Sequence, residues 1–204
     1  MMKKYLLVFV ALVMGVAAWG QSAPKHLKFK DLPIDGTQEE FARKLERIGF
    51  TFVQVNSEGT MLVGSFAEYP ECEVAVFTPR GVREVSSVGV VFPTRTSWAD
   101  LQRDYNVLKG ILIRKYGAPD KVTEQFFGGA RPSSDDEKLN CVKSDQCMYA
   151  TSFDIEEGDI LLQMGHDNYG DCYVTLGYRD KKNAENSSDW PPAEERAANP
   201  RTAR

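Results

Sequence analysis

The sequence predicts an α+β protein built as a tandem duplication, a helix followed by about four antiparallel strands, used twice, with the helices packed on a curved sheet. Three observations predict it. Two helix starts carry the same cap pattern, at Thr37 and at Ser97. A run of short alternating strands follows each of them. The two runs also share a short match: MLVGSF from Met61 lies opposite MYATSF from Met148, so that Ser65-Phe66 meets Ser152-Phe153.

The first helix starts at Thr37-Gln38-Glu39-Glu40. A threonine hydroxyl there can accept from an early backbone N–H, and an acid three residues on can reach back to the N–H of the cap. Phe41, Leu45 and Ile48 then share one stripe, and Gly49 ends the helix. The second helix repeats the start with Ser97 and Asp100, and its stripe is Trp98, Leu101, Tyr105, Leu108 and Leu112. Gly117 and Pro119 stop it, and Lys109, Arg114 and Lys115 suit the negative end of its dipole.

Strands are expected at 50–55, 60–66, 72–78 and 84–92, then at 121–127, 147–154, 159–165 and 171–179. Alternation supports the set: Cys72, Val74 and Val76 share a face, as do Ile160, Leu162 and Met164, and Cys172, Val174, Leu176 and Tyr178. Turn chemistry separates them at Asn56-Ser57-Glu58-Gly59, Pro79-Arg80-Gly81 and Glu156-Glu157-Gly158. The organisation is then a leader at 1–20, a first unit at 27–93, a second at 94–180 and a disordered tail at 181–204. The second unit carries an extra polar loop at 128–146. The tail is polar and charged, with one isolated Trp190, and holds too few apolar residues to offset its ordering entropy. It contains a sequon at Asn186-Ser187-Ser188.

The leader reads as a cleavable secretory signal. Lys3-Lys4 is basic, Tyr5 to Val16 is apolar, and Ala18 and Gly20 suit the small positions of a cleavage site before Gln21. The apolar stretch falls short of the roughly 20 residues of a membrane span, so the mature chain is expected to be periplasmic or secreted, with no stable membrane anchor. Removing Lys3 and Lys4 from the 25 basic residues leaves 23 against 29 acidic ones, a net charge of −6. That balance argues against nucleic acid as a partner, because phosphate binding needs a basic patch. Four cysteines behind a signal suggest disulfides. Cys141 and Cys147 are the pair expected to be bridged, since the polar stretch between them is short and costs little entropy to close.

The chemistry-bearing residues are sparse. The two histidines are His26, in a segment expected to be mobile, and His166, in the stretch Gly165-His166-Asp167-Asn168-Tyr169-Gly170-Asp171. His166 with Asp167 and Cys172 could form a nucleophilic set, but alternation turns Cys172 inward with Val174 and Leu176, which favours a structural thiol. Cys141 and Cys147 lack the grouped partners of a zinc site. Asp167, Asn168 and Asp171, or the cluster Ser133-Ser134-Asp135-Asp136-Glu137, lack the twelve-residue calcium loop, so solvated loop acids are the better reading. No motif calls for a cofactor.

Leu32 to Phe50, the VGSF near Val63, KYGAPD from Lys115, CMYATSFDIEEGDILL from Cys147 and the later CYVTLGYRD resemble a group of exported proteins of gut-dwelling Gram-negative bacteria. The resemblance covers about 27–180 and implies localisation and architecture, not an activity. The outline of a helix and strands used twice is also similar to tandem-repeat inhibitory proteins that bind β-lactamases and to small outer-membrane assembly modules, a likeness of fold only. The function expected is a non-catalytic exported module binding a protein or an envelope component, with the 128–146 loop as the contact. The alternative is an exported hydrolase using the acids near the sheet, Asp154, Glu156, Glu157 and Asp159.

Overall fold

The computed structural model describes residues 25–56, 59–79 and 81–184. The leader 1–20 and the part of the tail from 185 onward lie outside the described residues.

The chain opens with a two-strand hairpin, β1 (Lys28–Phe29) and β2 (Leu32–Pro33), turned by Lys30 and Asp31 at positive φ. The first helix, α1 (Gln38–Arg47), follows, and then β3 (Thr51–Asn56), β4 (Gly59–Phe66), β5 (Tyr69–Phe77) and β6 (Ser87–Val91). The second helix, α2 (Trp98–Tyr116), leads to β7 (Lys121–Phe126), α3 (Asp135–Lys143), β8 (Cys147–Ile155), β9 (Gly158–His166), β10 (Cys172–Asp180) and a short α4 (Lys181–Ala184).

The α+β class expected from the sequence is the class observed. Strands β3 to β10 form one eight-stranded antiparallel sheet in the order β3-β4-β5-β6-β10-β9-β8-β7. Each of the first two helices is thus followed by four strands, and the last strand of each set, β6 and β10, pair at the centre. The two runs that match in sequence occupy equivalent places, since β4 and β8 are each second from an edge.

One sheet face carries the core. Leu62, Val74, Val90, Leu176, Leu162 and Thr151 lie in register across six strands, and all are buried. Phe41 and Leu45 of α1 and Leu101, Tyr105, Leu108 and Leu112 of α2 are buried in the same core. Aromatic rings fill the corners. Phe29 stacks on Phe66 at 5.2 Å and meets Tyr178 edge-on at 5.5 Å, and Tyr149 meets Trp98 and Tyr105 edge-on. Burying each large apolar side chain of this core contributes about 1.5–3 kcal/mol.

The caps form as the residue types dictate, with one difference. Glu40 accepts from Thr37 N while Thr37 Oγ1 accepts from Glu40 N, a reciprocal pair. The shorter Asp100 takes the Ser97 hydroxyl at 2.7 Å, and no reciprocal pair is closed there. Ile48, expected on the buried stripe of the first helix, is 40% exposed at its C-cap.

Three expectations are corrected. The extra polar loop at 128–146 contains α3, capped reciprocally by Ser134 and Glu137 and buried through Leu139, Cys141 and Val142. The first four residues of the expected tail, 181–184, form α4 and pack at the end of the sheet: Asn183 Nδ2 donates to Ile34 O and Val85 O. His26 is held too. Its Nδ1 lies 2.9 Å from the buried carboxylate of Asp180, which also accepts from Leu27 N and Asn183 N.

Candidate binding face

Strand periodicity puts the alternate residues on the face of the sheet turned away from α1 and α2. Ala75 pairs with Gly89, Gly89 with Gly177 and Gly177 with Leu161; one step along, Val91 pairs with Thr175 and Thr175 with Gln163. These positions line a cavity of about 510 Å³ that runs along the face and ends against Val142 of α3 and Asp145 just after it, with Cys147, His166 and Asn168.

Glycine shapes its floor. A Cβ on Gly89 would meet the Phe77 ring at 3.5 Å, and one on Gly165 would meet the Tyr173 ring at 3.6 Å. Each ring therefore lies beside a glycine on a neighbouring strand, which makes apolar walls and leaves low ground between them. Gly177 continues that ground in the central strand. Glycine inside a strand weakens it and marks places where another group approaches the backbone closely. The polar groups of the floor are few: Thr175, Gln163 and Ser87. Concave, mostly apolar surfaces with a few placed polar groups are the usual form of a binding site.

Polar contacts collect at the two ends of β9 and β10. Arg179 donates to Asp159 Oδ2 at 2.9 Å, and Lys181 pairs with Asp154. These are two of the four acids expected to serve a hydrolase, and each has a cation beside it. Glu156 and Glu157 sit in the turn between β8 and β9. At the other end His166 Nδ1 lies 2.7 Å from Asp167 O. A carbonyl only accepts, so Nδ1 carries the hydrogen and Nε2 is turned toward Asp145 Oδ1, 3.4 Å away.

The set His166, Asp167 and Cys172 is not assembled for nucleophilic attack. The Asp167 carboxylate accepts from Asp171 N at 2.9 Å and Tyr169 N at 2.8 Å, and these backbone bonds, the Asp171 one foremost, hold it below the usual carboxylate range. Cys172 Sγ is directed to Gly170 O at 3.9 Å. Burial pushes its thiol up, against the neighbouring Lys143. The carboxylate braces a loop and the thiol is protonated packing.

Cys141 and Cys147, expected as a bridged pair, are free thiols, as are Cys72 and Cys172. The reason lies in the unexpected helix. Cys141 belongs to the buried face of α3 beside Leu139 and Val142, while Cys147 opens β8 opposite Phe126 and packs on the core. Burial pushes the Cys147 thiol up to about 12, and the nearby Cys141 and Cys172 add to it. The acid cluster Ser133 to Glu137 is an N-terminal cap and first turn. Among the described residues no group of His, Cys, Asp and Glu is arranged to hold a metal. No helix of the described residues is long and apolar enough to cross a membrane.

Comparison with known protein families, with curated proteins and with solved structures gives no match.

The sequence alone did not reveal this face, because Ala75, Gly89, Val91, Thr175 and Gly177 read simply as the outward half of alternating strands. The signal available was glycine in strand interiors, at Gly89, Gly165 and Gly177.

Proposed function

We propose that the chain is an exported, non-catalytic binding module, and that the sheet face opposite α1 and α2 is where it holds a protein or an envelope component. The observation that carries this reading is the cavity over Gly89 and Gly177, walled by Phe77 and Tyr173. It offers half-buried apolar area with Thr175 and Gln163 as neutral hydrogen-bonding groups on its floor, which suits recognition of a surface. The contact expected in the 128–146 loop moves to its margin, since only Val142 and Asp145 of that segment line the cavity. Export is supported by the basic, apolar and small-residue order of the leader.

A photo-reactive side chain placed at Gln163, on the floor, tests the reading in the cells that make the protein. A discrete cross-linked partner from Gln163, and none from Val107 on the outer side of α2, is the expected result. Equal cross-linking from both sites, or none from Gln163, contradicts it. The intact mass of the exported protein should begin at Gln21; a retained Met1 removes the export part of the reading and leaves the face untouched.

A further inference from the structure

The sheet ends on two strands of different character. β7, at one edge, carries Lys121 and Glu124, charges of the kind that blunt strand-to-strand pairing. β3, at the other, reads TFVQVN, with no charge and no proline. Residues 51–55 of it are all exposed, and Phe52, Val53 and Val55 are 45%, 53% and 64% exposed. Ile48, 40% exposed at the end of α1, lies a few residues before Phe52. Three of the large apolar side chains left in solvent thus belong to one edge strand, whose outer backbone N–H and C=O groups have no strand beside them among the described residues.

We propose that β3 is the contact by which two copies of this chain pair, antiparallel and about a two-fold axis, to make one continuous sheet. The irregularity of the strand favours a second copy over a foreign strand. Phe52 is opposite Leu62 and Val55 opposite Thr60, and Leu62 and Thr60 are both buried on the helix side. Phe52 and Val55 therefore face the same way although two residues stand between them, because the register shifts between Phe52 and Gln54. A regular strand has one residue between neighbours on a face. Laid on the outer edge, it meets the same two-against-one mismatch that β4 accepts on the inner edge. A second β3 carries the same extra residue. In two-fold register Phe52 of each copy stands opposite Val55 of the other, with two residues between on both strands, so the apolar positions of that face match. The apolar pair forms twice, as an isologous contact requires. The absence of charge removes like-charge repulsion across the axis, and pairing through one edge closes at two copies.

Sedimentation equilibrium of the purified chain tests this. Over a roughly hundred-fold concentration range, about 2.7 kcal/mol in the association balance, the unaltered chain should sediment as dimer and then as monomer on dilution. The double variant V53K/V55K should remain monomeric throughout and keep its circular dichroism spectrum, since both positions are exposed. V122K, on the β7 edge, should behave as the unaltered chain. A monomer at every concentration, an assembly larger than two, or a dimer that survives V53K/V55K overturns the proposal. Should V53K/V55K lose its spectrum, the milder V55T decides: a weakened dimer supports the pairing and an unchanged one overturns it.

Discussion

The Tyr69 hydroxyl donates to Asp104 Oδ1 at 3.2 Å, tying the hairpin between β4 and β5 to α2. The same carboxylate, 4% exposed, accepts from Arg95 Nε at 2.5 Å, with Arg103 3.8 Å from its first oxygen. Asp104 thus joins an element of the first strand set to the helix of the second, just where Phe92 and Tyr69 pack edge-on. Burial, with the Asp104 charge beside it, pushes the Tyr69 hydroxyl up to about 12, so it stays a donor at any ordinary pH.

Asp104→Ala removes the acceptor of Arg95 Nε and of the Tyr69 hydroxyl. The expected cost is about 2–4 kcal/mol, short of a fully buried pair because Arg95 is 27% exposed. Tyr69→Phe removes one hydrogen bond and should cost about 1 kcal/mol. Urea unfolding checks both. Equal costs for the two variants would mean that the ion pair contributes nothing beyond the tyrosine bond.

The helix caps set an acid-side dependence. Glu40 accepts from Thr37 N at 2.9 Å and Glu137 from Ser133 N at 2.6 Å, and these bonds hold both carboxyls below the usual glutamate range. The unfolded chain therefore takes up these protons first as pH falls. The stabilisation is complete above the ordinary glutamate value and is lost as pH drops through the folded one. In E40Q/E137Q the acid limb of Tm against pH should be shallower than in the unaltered chain. Superimposable limbs would contradict the assignment. Thr37→Ala and Ser97→Ala should each cost about 0.5–2 kcal/mol at neutral pH, and melts that overlay the parent would mean the hydroxyls do not cap.

Buried thiols should be inert. Burial pushes Cys72 up to about 11 and Cys147 up to about 12, so the reactive thiolate is scarce in the folded chain. Iodoacetamide at about pH 8 should label these two far more slowly in the folded protein than in denaturant, where a free thiol has its usual pKa near 8.5. Labelling of Cys147 at the same rate in both states would show an activated thiolate and reopen a nucleophilic role.

What the sequence made legible follows local rules. The caps at Thr37 and Ser97, the stripe from Trp98 to Leu112 and the alternation in β5, β9 and β10 each show within a few neighbouring residues, and all eight sheet strands lie close to the expected ranges. The helix α3 was legible in principle, since Ser134 and Glu137 repeat the Thr37 and Glu40 pattern, but its short apolar stripe of Leu139, Cys141 and Val142 is set in a polar stretch. Its presence is what separates Cys141 from Cys147 in role. The β6–β10 pairing, the anchoring of His26 on Asp180 and the cavity depend on residues far apart in the chain, and strand periodicity shows which residues share a face but not which strands adjoin. So the candidate face is legible only once Gly89 and Gly177 are seen side by side.

Filling that floor is the most direct test of the account. Gly89 is an ordinary strand position where an added Cβ meets only the Phe77 ring, at ordinary contact distance. Gly89→Ile should therefore fold and melt nearly as the parent does, while its side chain occupies the low ground between Phe77 and Tyr173. The measurement is the yield of cross-linked partner from the photo-reactive group at Gln163, with and without Gly89→Ile, in variants shown by thermal melting to be folded. The account predicts that the cross-link is lost with Gly89→Ile and retained with Val107→Ile on the outer side of α2. An unchanged yield with the floor filled would contradict it.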